Sequence, residues 1–300
     1  MCDDITEREN AQHLRNQGIS RRVFTGAGVS AAIALYWSRA IAAMPVAAGN
    51  LALTSETVTI PTADGECDAY WVRPAEGKHP AVIMWPDVHG IRPAFHAMGE
   101  RLAKSGYAVL VVNPYYRSHT GQITPDGKSI ADPEIRELIM PHRDLLTPAA
   151  IRADSRALVT WLDSQAAVDT AAGIGAAGYC MSGSYTLRAG AEMPERVKAC
   201  ASFHGGGLVT DNEDSPHLLA GQITGGVLIA IAENDDARAP EDKVVLREAF
   251  EASPAAATVK VFDGAMHGWC PPDSRAYDEA RAEEAWAMFL ALLETHTRPA

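Results

Sequence analysis

Residues 178–183 (GYCMSG) constrain the fold more than any other part of the sequence. They end a short run of small apolar residues, 174–179, which predicts a buried central strand. They lead into a proline-free stretch, 181–191, which predicts a helix. A reactive side chain between a strand and a helix, flanked by glycines, indicates a strained elbow turn that exposes this side chain and directs the next N–H towards a developing oxyanion. Taken alone, Cys180 is equally well explained as a buried structural cysteine.

Two later segments supply the partners that a reactive thiol needs. The apolar run 227–232 predicts a strand and is followed by residues 233–236 (ENDD). A further predicted strand, 258–262, is followed by residues 263–268 (DGAMHG). We therefore expect an acid and a histidine, each in a loop after a strand.

The chain order of these groups is nucleophile, acid, histidine. That is the order of the α/β-hydrolase triad and differs from the chymotrypsin and subtilisin orders. A thiol becomes the reactive thiolate with the help of a base, and the base needs a carboxylate to orient it. We predict that Cys180 is the nucleophile and His267 the general base, with the acid among residues 233–236.

Together these motifs resemble those of the dienelactone hydrolase family. The resemblance spans residues 54–293 and rests on residues 85–90 (WPDVHG), 107–117 (YAVLVVNPYYR), 178–183, 232–235 and 264–268. Family members open lactones and esters with a cysteine thiol through an acyl-enzyme. The resemblance therefore implies an α/β-hydrolase fold and a hydrolase of small esters or lactones.

The resemblance bears on the choice of acid. Residues 227–235 match the family's strand and acid without a gap, which favours Asp235. The family's acid usually lies four residues before a proline, however, and Asp236 has that spacing to Pro240. Asp235 is the prediction, and Asp236 is the alternative.

The loop after the predicted strand 81–85 is expected to complete the oxyanion hole. In hydrolase folds the second N–H comes from this loop, so the Val88 N–H would pair with the Met181 N–H. Asp87 stands where dienelactone hydrolases have a glutamate near the thiol, which implies a role in the substrate pocket and in thiol activation. A loop-capping carboxylate is the equal alternative for Asp87.

The resemblance also implies a substrate-binding arginine. Arg117 corresponds to one of two arginines with which the family's dienelactone enzymes hold the substrate carboxylate. The second arginine would lie four residues after the histidine, where this chain has Pro271. Small esters or lactones are therefore a safer expectation than dienelactone itself, and a surface ion pair is the alternative for Arg117.

The rest of the pattern alternates strands and helices. Predicted strands are 56–61 and 67–73 (an edge hairpin), 81–85, 109–112 and 197–203, and predicted helices are 93–105, 149–162, 241–252 and 277–294. This alternation predicts an α/β fold with a mainly parallel, doubly wound sheet covered by helices on both faces. Residues 118–146 are the least regular, and we expect them to form a wall or lid over the site.

Composition narrows the partners. The chain has 300 residues, 47% of them hydrophobic, and a net charge of −12 with no basic patch, which makes nucleic acid an improbable partner. We see no histidine and cysteine spacing typical of a metal site and expect no cofactor. The expected partner is a small ester or lactone, and the oligomeric state stays open.

The N-terminus has a different character. Arg21 and Arg22 precede an uncharged small-residue run, 26–36, and later residues resemble signal-peptidase sites. We predict a twin-arginine export signal over residues 1–48, dispensable for catalysis, and a catalytic domain over 49–300 in the periplasm or outside the cell. The alternative is a cytoplasmic protein whose N-terminal amphipathic helix packs on the catalytic domain. The run 26–36 and the apolar residues that follow Arg39 are each too short for a membrane span, which needs about 20 residues.

Two other functions fit parts of the pattern. An exported, non-catalytic ligand-binding protein would keep the pocket of this fold but form no acyl-enzyme. A cysteine peptidase is compatible with the triad, but the sequence carries no sign of a peptide groove.

Overall fold

The centre of the molecule is an eight-stranded sheet. The computed structural model describes residues 6, 8–10, 12–13 and 51–298. Within them the strands are β1 Leu53–Thr62, β2 Gly65–Pro74, β3 Ala81–Trp85, β4 Ala108–Val112, β5 Ile174–Tyr179, β6 Val197–Phe203, β7 Gly226–Ala232 and β8 Ala256–Phe262. Their spatial order is β1-β2-β4-β3-β5-β6-β7-β8. The strands from β4 to β8 pair in parallel, whereas the β1–β2 hairpin pairs antiparallel at one edge, as predicted.

Helices cover both faces of this sheet. They are α1 Pro93–Lys104, α2 Pro133–Arg143, α3 Pro148–Asp163, α4 Gly183–Glu192, α5 Glu233–Arg238, α6 Asp242–Glu251 and α7 Glu279–Thr297. Buried residues of α1 and α7, such as Phe95 and Phe289, form one core with the sheet. Buried residues of α3, α4 and α6, such as Leu158 and Leu187, form the other. Every residue of β3, β4 and β5 is buried because both faces are covered. The predicted doubly wound α/β-hydrolase fold is confirmed.

Two local predictions need correction. The acid segment, predicted as a loop, forms the short helix α5, whose first turn carries carboxylates that a helix N-terminus favours. The last helix begins at Glu279 rather than at residue 277, because the Asp278 side chain accepts the Arg281 N–H at 3.1 Å and caps it. The irregular segment 118–146 contains α2, which starts at Pro133.

Parallel strands point their carboxyl ends to one edge of the sheet, and the predicted site residues lie there. Val88 follows β3, Cys180 follows β5, Asp235 follows β7 and His267 follows β8. None of the described helices is both long and apolar enough to cross a membrane. Arg21, Arg22 and the apolar run after them lie outside the described residues, so the export signal stays a prediction.

Candidate active site

Cys180 occupies a strained turn between β5 and the following helix. Its φ of 54° lies in the left-handed region, which costs a non-glycine residue about 1–3 kcal/mol. The neighbouring positions 178 and 183 require glycine because other backbone atoms lie where a side chain would begin. A Cβ on Gly178 would lie 2.1 Å from the Ser182 carbonyl oxygen, and a Cβ on Gly183 would lie 2.4 Å from the Gly205 Cα. The strand-to-helix elbow thus depends on small residues at both of these positions.

Ser182, two residues further on, has a structural position. Its hydroxyl accepts the Tyr179 N–H at 2.9 Å and donates to the Trp85 carbonyl oxygen at 2.8 Å. The residue is fully buried. These contacts tie the elbow to the end of β3, whereas Cys180 is among the residues that line the neighbouring cleft.

His267 and Asp235 meet beside this elbow. The His267 Nδ1 lies 2.6 Å from the Asp235 Oδ2. Asp236 instead pairs with Lys243, whose Nζ lies 2.6 Å from its Oδ2. The geometry therefore brings Asp235, and not Asp236, to the imidazole.

Electrostatics favour a charged imidazole. Burial alone would lower the pKa of His267, but negative charge on Cys180 and Asp235 raises it to about 10. Burial opposes ionisation of Asp235, yet His267 holds the pKa of that carboxyl below its usual value. The neighbouring His204 ring, 5.0 Å from the His267 ring, is desolvated, and its pKa falls to about 3. Burial therefore favours the neutral form of His204, whereas the neighbouring negative groups favour the protonated form of His267.

The loops that carry Asp235 and His267 are joined to each other. The Glu233 N–H donates to the Ala265 carbonyl oxygen at 2.9 Å, and the Glu233 carboxylate accepts the Gly264 N–H at 2.6 Å. The His267 N–H donates to the Asn234 Oδ1 at 2.8 Å. The start of α5 therefore fixes the backbone of the histidine loop as well as presenting the acid.

The two predicted oxyanion residues, Val88 and Met181, both line the cleft beside Cys180. Tyr115 connects them, because its hydroxyl donates to the Val88 carbonyl oxygen at 2.7 Å and contacts the Met181 Sδ at 3.5 Å. Met181 lies in the first helical turn after the elbow, where backbone N–H groups have no acceptor within the helix. The arrangement suits the stabilisation of a negative oxygen.

Asp87 lies in a buried ion cluster behind the oxyanion loop. Arg92 donates to its two carboxylate oxygens at 2.8 and 2.9 Å, and the His89 N–H donates to its Oδ1 at 2.9 Å. Arg92 also pairs with Asp273. Burial opposes ionisation of Asp87, but Arg92 lowers its pKa to about 2. These contacts are those of the loop-capping carboxylate that was the alternative for Asp87.

Arg117 is likewise occupied by carboxylates. Its guanidinium donates to Asp64 at 2.8 and 2.9 Å and to Asp154 at 2.7 and 2.9 Å. Asp154 also accepts the Tyr116 hydroxyl at 2.6 Å. This is the ion pair that was the alternative to substrate binding, and Arg117 is not among the residues that line the cleft.

A different arginine faces the cleft. The cleft has a volume of about 370 Å³, and Met140, Arg143 and Leu146 from the predicted wall segment line it together with Cys180. In the part of the chain that the structure describes, no carboxylate pairs with Arg143, whose guanidinium approaches the Met140 Sδ at 3.9 Å. Sequence reasoning missed Arg143 because nothing in the irregular segment distinguishes it from a surface arginine. Arg92 and Asp273 were missed because 181 positions separate them.

Known proteins resemble this chain both in sequence and in fold. The model of the dienelactone hydrolase family matches residues 67–297. A Synechocystis protein named "Putative carboxymethylenebutenolidase" is 25% identical over 80% of this chain and 96% of its own length. The carboxymethylenebutenolidase of Rhodococcus opacus is 22% identical over 73% of this chain and 82% of its own. The crystal structure of a "Putative Dienelactone Hydrolase" from Klebsiella pneumoniae gives a TM-score of 0.69 at 23% identity, over 81% of this chain and 99% of that chain.

Proposed function

This chain belongs to the dienelactone hydrolase family, whose members hydrolyse lactones and esters, and on that premise we propose that Cys180 forms an acyl-enzyme with small carboxylic esters or lactones. One observation carries the proposal. The His267–Asp235 pair, with its 2.6 Å contact, lies beside a cysteine held at a strained elbow that opens into a cleft. The raised pKa of His267 supports a thiolate–imidazolium pair as the resting state.

The chemistry follows from this pair. The Cys180 thiolate attacks the carbonyl carbon, and the oxygen that becomes negative accepts the Val88 and Met181 N–H groups. The tetrahedral species collapses, the bond to the alkoxy oxygen breaks, and the His267 imidazolium gives that oxygen its proton. In a lactone, the released hydroxyl stays attached to the acyl group.

The second half regenerates the thiolate. His267, now neutral, takes a proton from water while the water oxygen attacks the thioester carbon. The C–S bond breaks, the carboxylic acid leaves, and Asp235 stabilises the imidazolium that forms again.

Arg143 gives the cleft a substrate preference. Arg143 lines the same cleft as Cys180 and, within the described residues, forms no ion pair, although the neighbouring Asp144 also lines this cleft. A guanidinium forks a carboxylate with two parallel hydrogen bonds. We therefore assign to Arg143 the preference for acidic substrates that the sequence suggested for Arg117.

The decisive experiment is intact-mass measurement after rapid mixing with p-nitrophenyl acetate and with a panel of lactones. The full-length chain should carry an acyl adduct that peptide mapping places on Cys180. Cys180→Ala should lose the adduct and ester turnover. Ser182→Ala is the matched control: it should keep the adduct while losing about 1–3 kcal/mol of stability, because the buried Trp85 carbonyl loses its donor.

Two outcomes would contradict the proposal. Near-normal turnover by Cys180→Ala, with the label on Ser182, would show that Ser182 is the nucleophile. Saturable lactone binding without any adduct or turnover would favour the non-catalytic ligand-binding protein.

A further inference from the structure

A short N-terminal segment lies against the histidine loop. Residues 8–10, 12 and 13 are helical, and Thr6 and Asn10 are buried. The Asn10 side-chain amide donates to the His267 carbonyl oxygen at 3.0 Å, across 257 positions of sequence. The contact is therefore made directly on the peptide of the candidate base.

A second set of contacts reaches the other side of the same residue. The Glu9 carboxylate accepts the Asn234 amide at 2.9 Å and the Arg238 guanidinium at 2.7 Å. The Asn234 Oδ1 in turn accepts the His267 N–H at 2.8 Å. Because Asn234 precedes Asp235, Glu9 braces the residue that links the acid to the histidine.

The N–H and the C=O of His267 are thus both held by side-chain amides. One amide belongs to the N-terminal segment, and the other is held by it. We propose that Glu9 and Asn10 are positioning residues for the hydrolytic reaction, which fix the His267 backbone so that its ring stays aligned between Asp235 and Cys180. The proposal rests on the proposed function, since it assumes that His267 is the base.

The positions of these contacts indicate that the segment aligns the catalytic groups and does not only attach to the surface of the domain. The hydrogen bonds of Glu9 and Asn10 described above end on His267 and on two residues of α5, which also carries Asp235. Small displacements of a catalytic group slow a reaction out of proportion to their size. The alternative to the prediction that residues 1–48 are dispensable is therefore specific: Glu9 and Asn10 are needed for full activity.

The test uses the full-length chain with Asn10→Ala and with Asn10→Leu, which keeps the branched shape and the neutral charge but cannot donate. Both should lower kcat for p-nitrophenyl acetate about tenfold, with KM changing less than about twofold, because alignment and not binding is lost. Asn212→Ala, which removes an exposed side-chain amide elsewhere in the chain, is the control and should behave like the parent.

A pH profile supplies a readout that folding alone would not move. In the parent, kcat/KM for an alkyl ester, whose leaving oxygen takes its proton from the imidazolium, should fall as pH rises through the raised pKa of His267, about 10. A ring held less firmly against Asp235 loses part of this stabilisation, so the alkaline limb should move to lower pH in both Asn10 variants. The downfield proton resonance of the His267–Asp235 hydrogen bond should weaken in parallel, which checks alignment without any turnover.

The outcomes separate this proposal from the proposed function. A parent that forms no acyl adduct would end the proposed function whatever the variants do. If the parent forms the adduct, but the folded Asn10→Leu protein keeps its kcat, its alkaline limb and its downfield resonance, the segment is only packing and the positioning role is wrong. If Asn10→Ala does not fold, the same three measurements on Asn10→Leu and Glu9→Gln decide.

Discussion

At the start of α5, two adjacent aspartates face different cations. Asp235 contacts the His267 imidazole, and Asp236 contacts Lys243. The two side chains are equally exposed, at 18%, so their partners decide their roles. A carboxylate that orients a base affects the rate strongly, whereas a partly exposed ion pair contributes about 0–1 kcal/mol to stability and nothing to the chemistry.

We expect Asp235→Asn to lower kcat by about 100-fold or more, because the neutral amide neither fixes the tautomer of His267 nor stabilises its charge. Asp236→Asn should keep kcat within about twofold. Steady-state kinetics on both variants measure the difference. Equal small losses of kcat in the two variants would show that neither aspartate is the triad acid.

The charge of Arg143 at the cleft wall is expected to affect substrate binding. Arg143→Ala should raise KM for an ester with a carboxylate near the scissile bond by about tenfold or more, since one charge-assisted bond is lost. A neutral ester of similar size should change little. Arg117→Lys is the comparison variant: its partners are Asp64 and Asp154, so it should lower the melting temperature without distinguishing the two esters. A carboxylate preference lost in Arg117→Lys but kept in Arg143→Ala would reverse the assignment.

The loop after β3 is held in place by ion pairs. Arg92 pairs with Asp87 on one side and with Asp273 on the other, and the Arg92 and Asp87 side chains are buried while Asp273 is partly exposed. The folded-state pKa of Asp87, about 2, lies below its ordinary value of 3.8. Its contribution to stability is therefore complete above the ordinary value and is lost as pH falls towards 2.

This depression corresponds to roughly 2 kcal/mol of folding stability that acid should remove between about pH 4 and pH 2. Asp87→Asn should show less of this acid-induced loss and be less stable at pH 7, because Arg92 then lacks one partner. Urea unfolding at pH 7, 4 and 3 measures both effects. Asp211→Asn, a change at an exposed acid, should keep the parent's pH dependence. A parent whose stability is flat over this range would contradict the ion-cluster account.

The elements that frame the site follow from local pattern. The β1–β2 hairpin, the buried strands and α1 were predictable because their residue periodicity and turn residues act over short distances. The helical form of residues 233–238 was not foreseen, since a run of acids before a proline is equally typical of a loop. The partners of Arg92 and Arg117 were beyond prediction, because they come from segments whose proximity only the folded sheet creates.

For the whole molecule, the prediction of export rests on sequence alone. If Arg21 and Arg22 belong to a twin-arginine signal, replacing both with lysine should leave active enzyme in the cytoplasm. Cell fractionation followed by esterase assay measures this, and an enzyme with a conventional cytoplasmic location serves as the marker. Full export of the double-lysine chain would instead favour an N-terminus that belongs to the folded enzyme.

The contact between Asn10 and the His267 loop has a practical side for anyone who produces this protein. An affinity tag fused before residue 1 would lie within about ten positions of Asn10 in the sequence. Kinetic constants from an N-terminally tagged preparation and from the untagged chain should then differ in kcat. A comparison of enzyme batches would register the tag as a change in turnover rather than as a loss of active protein.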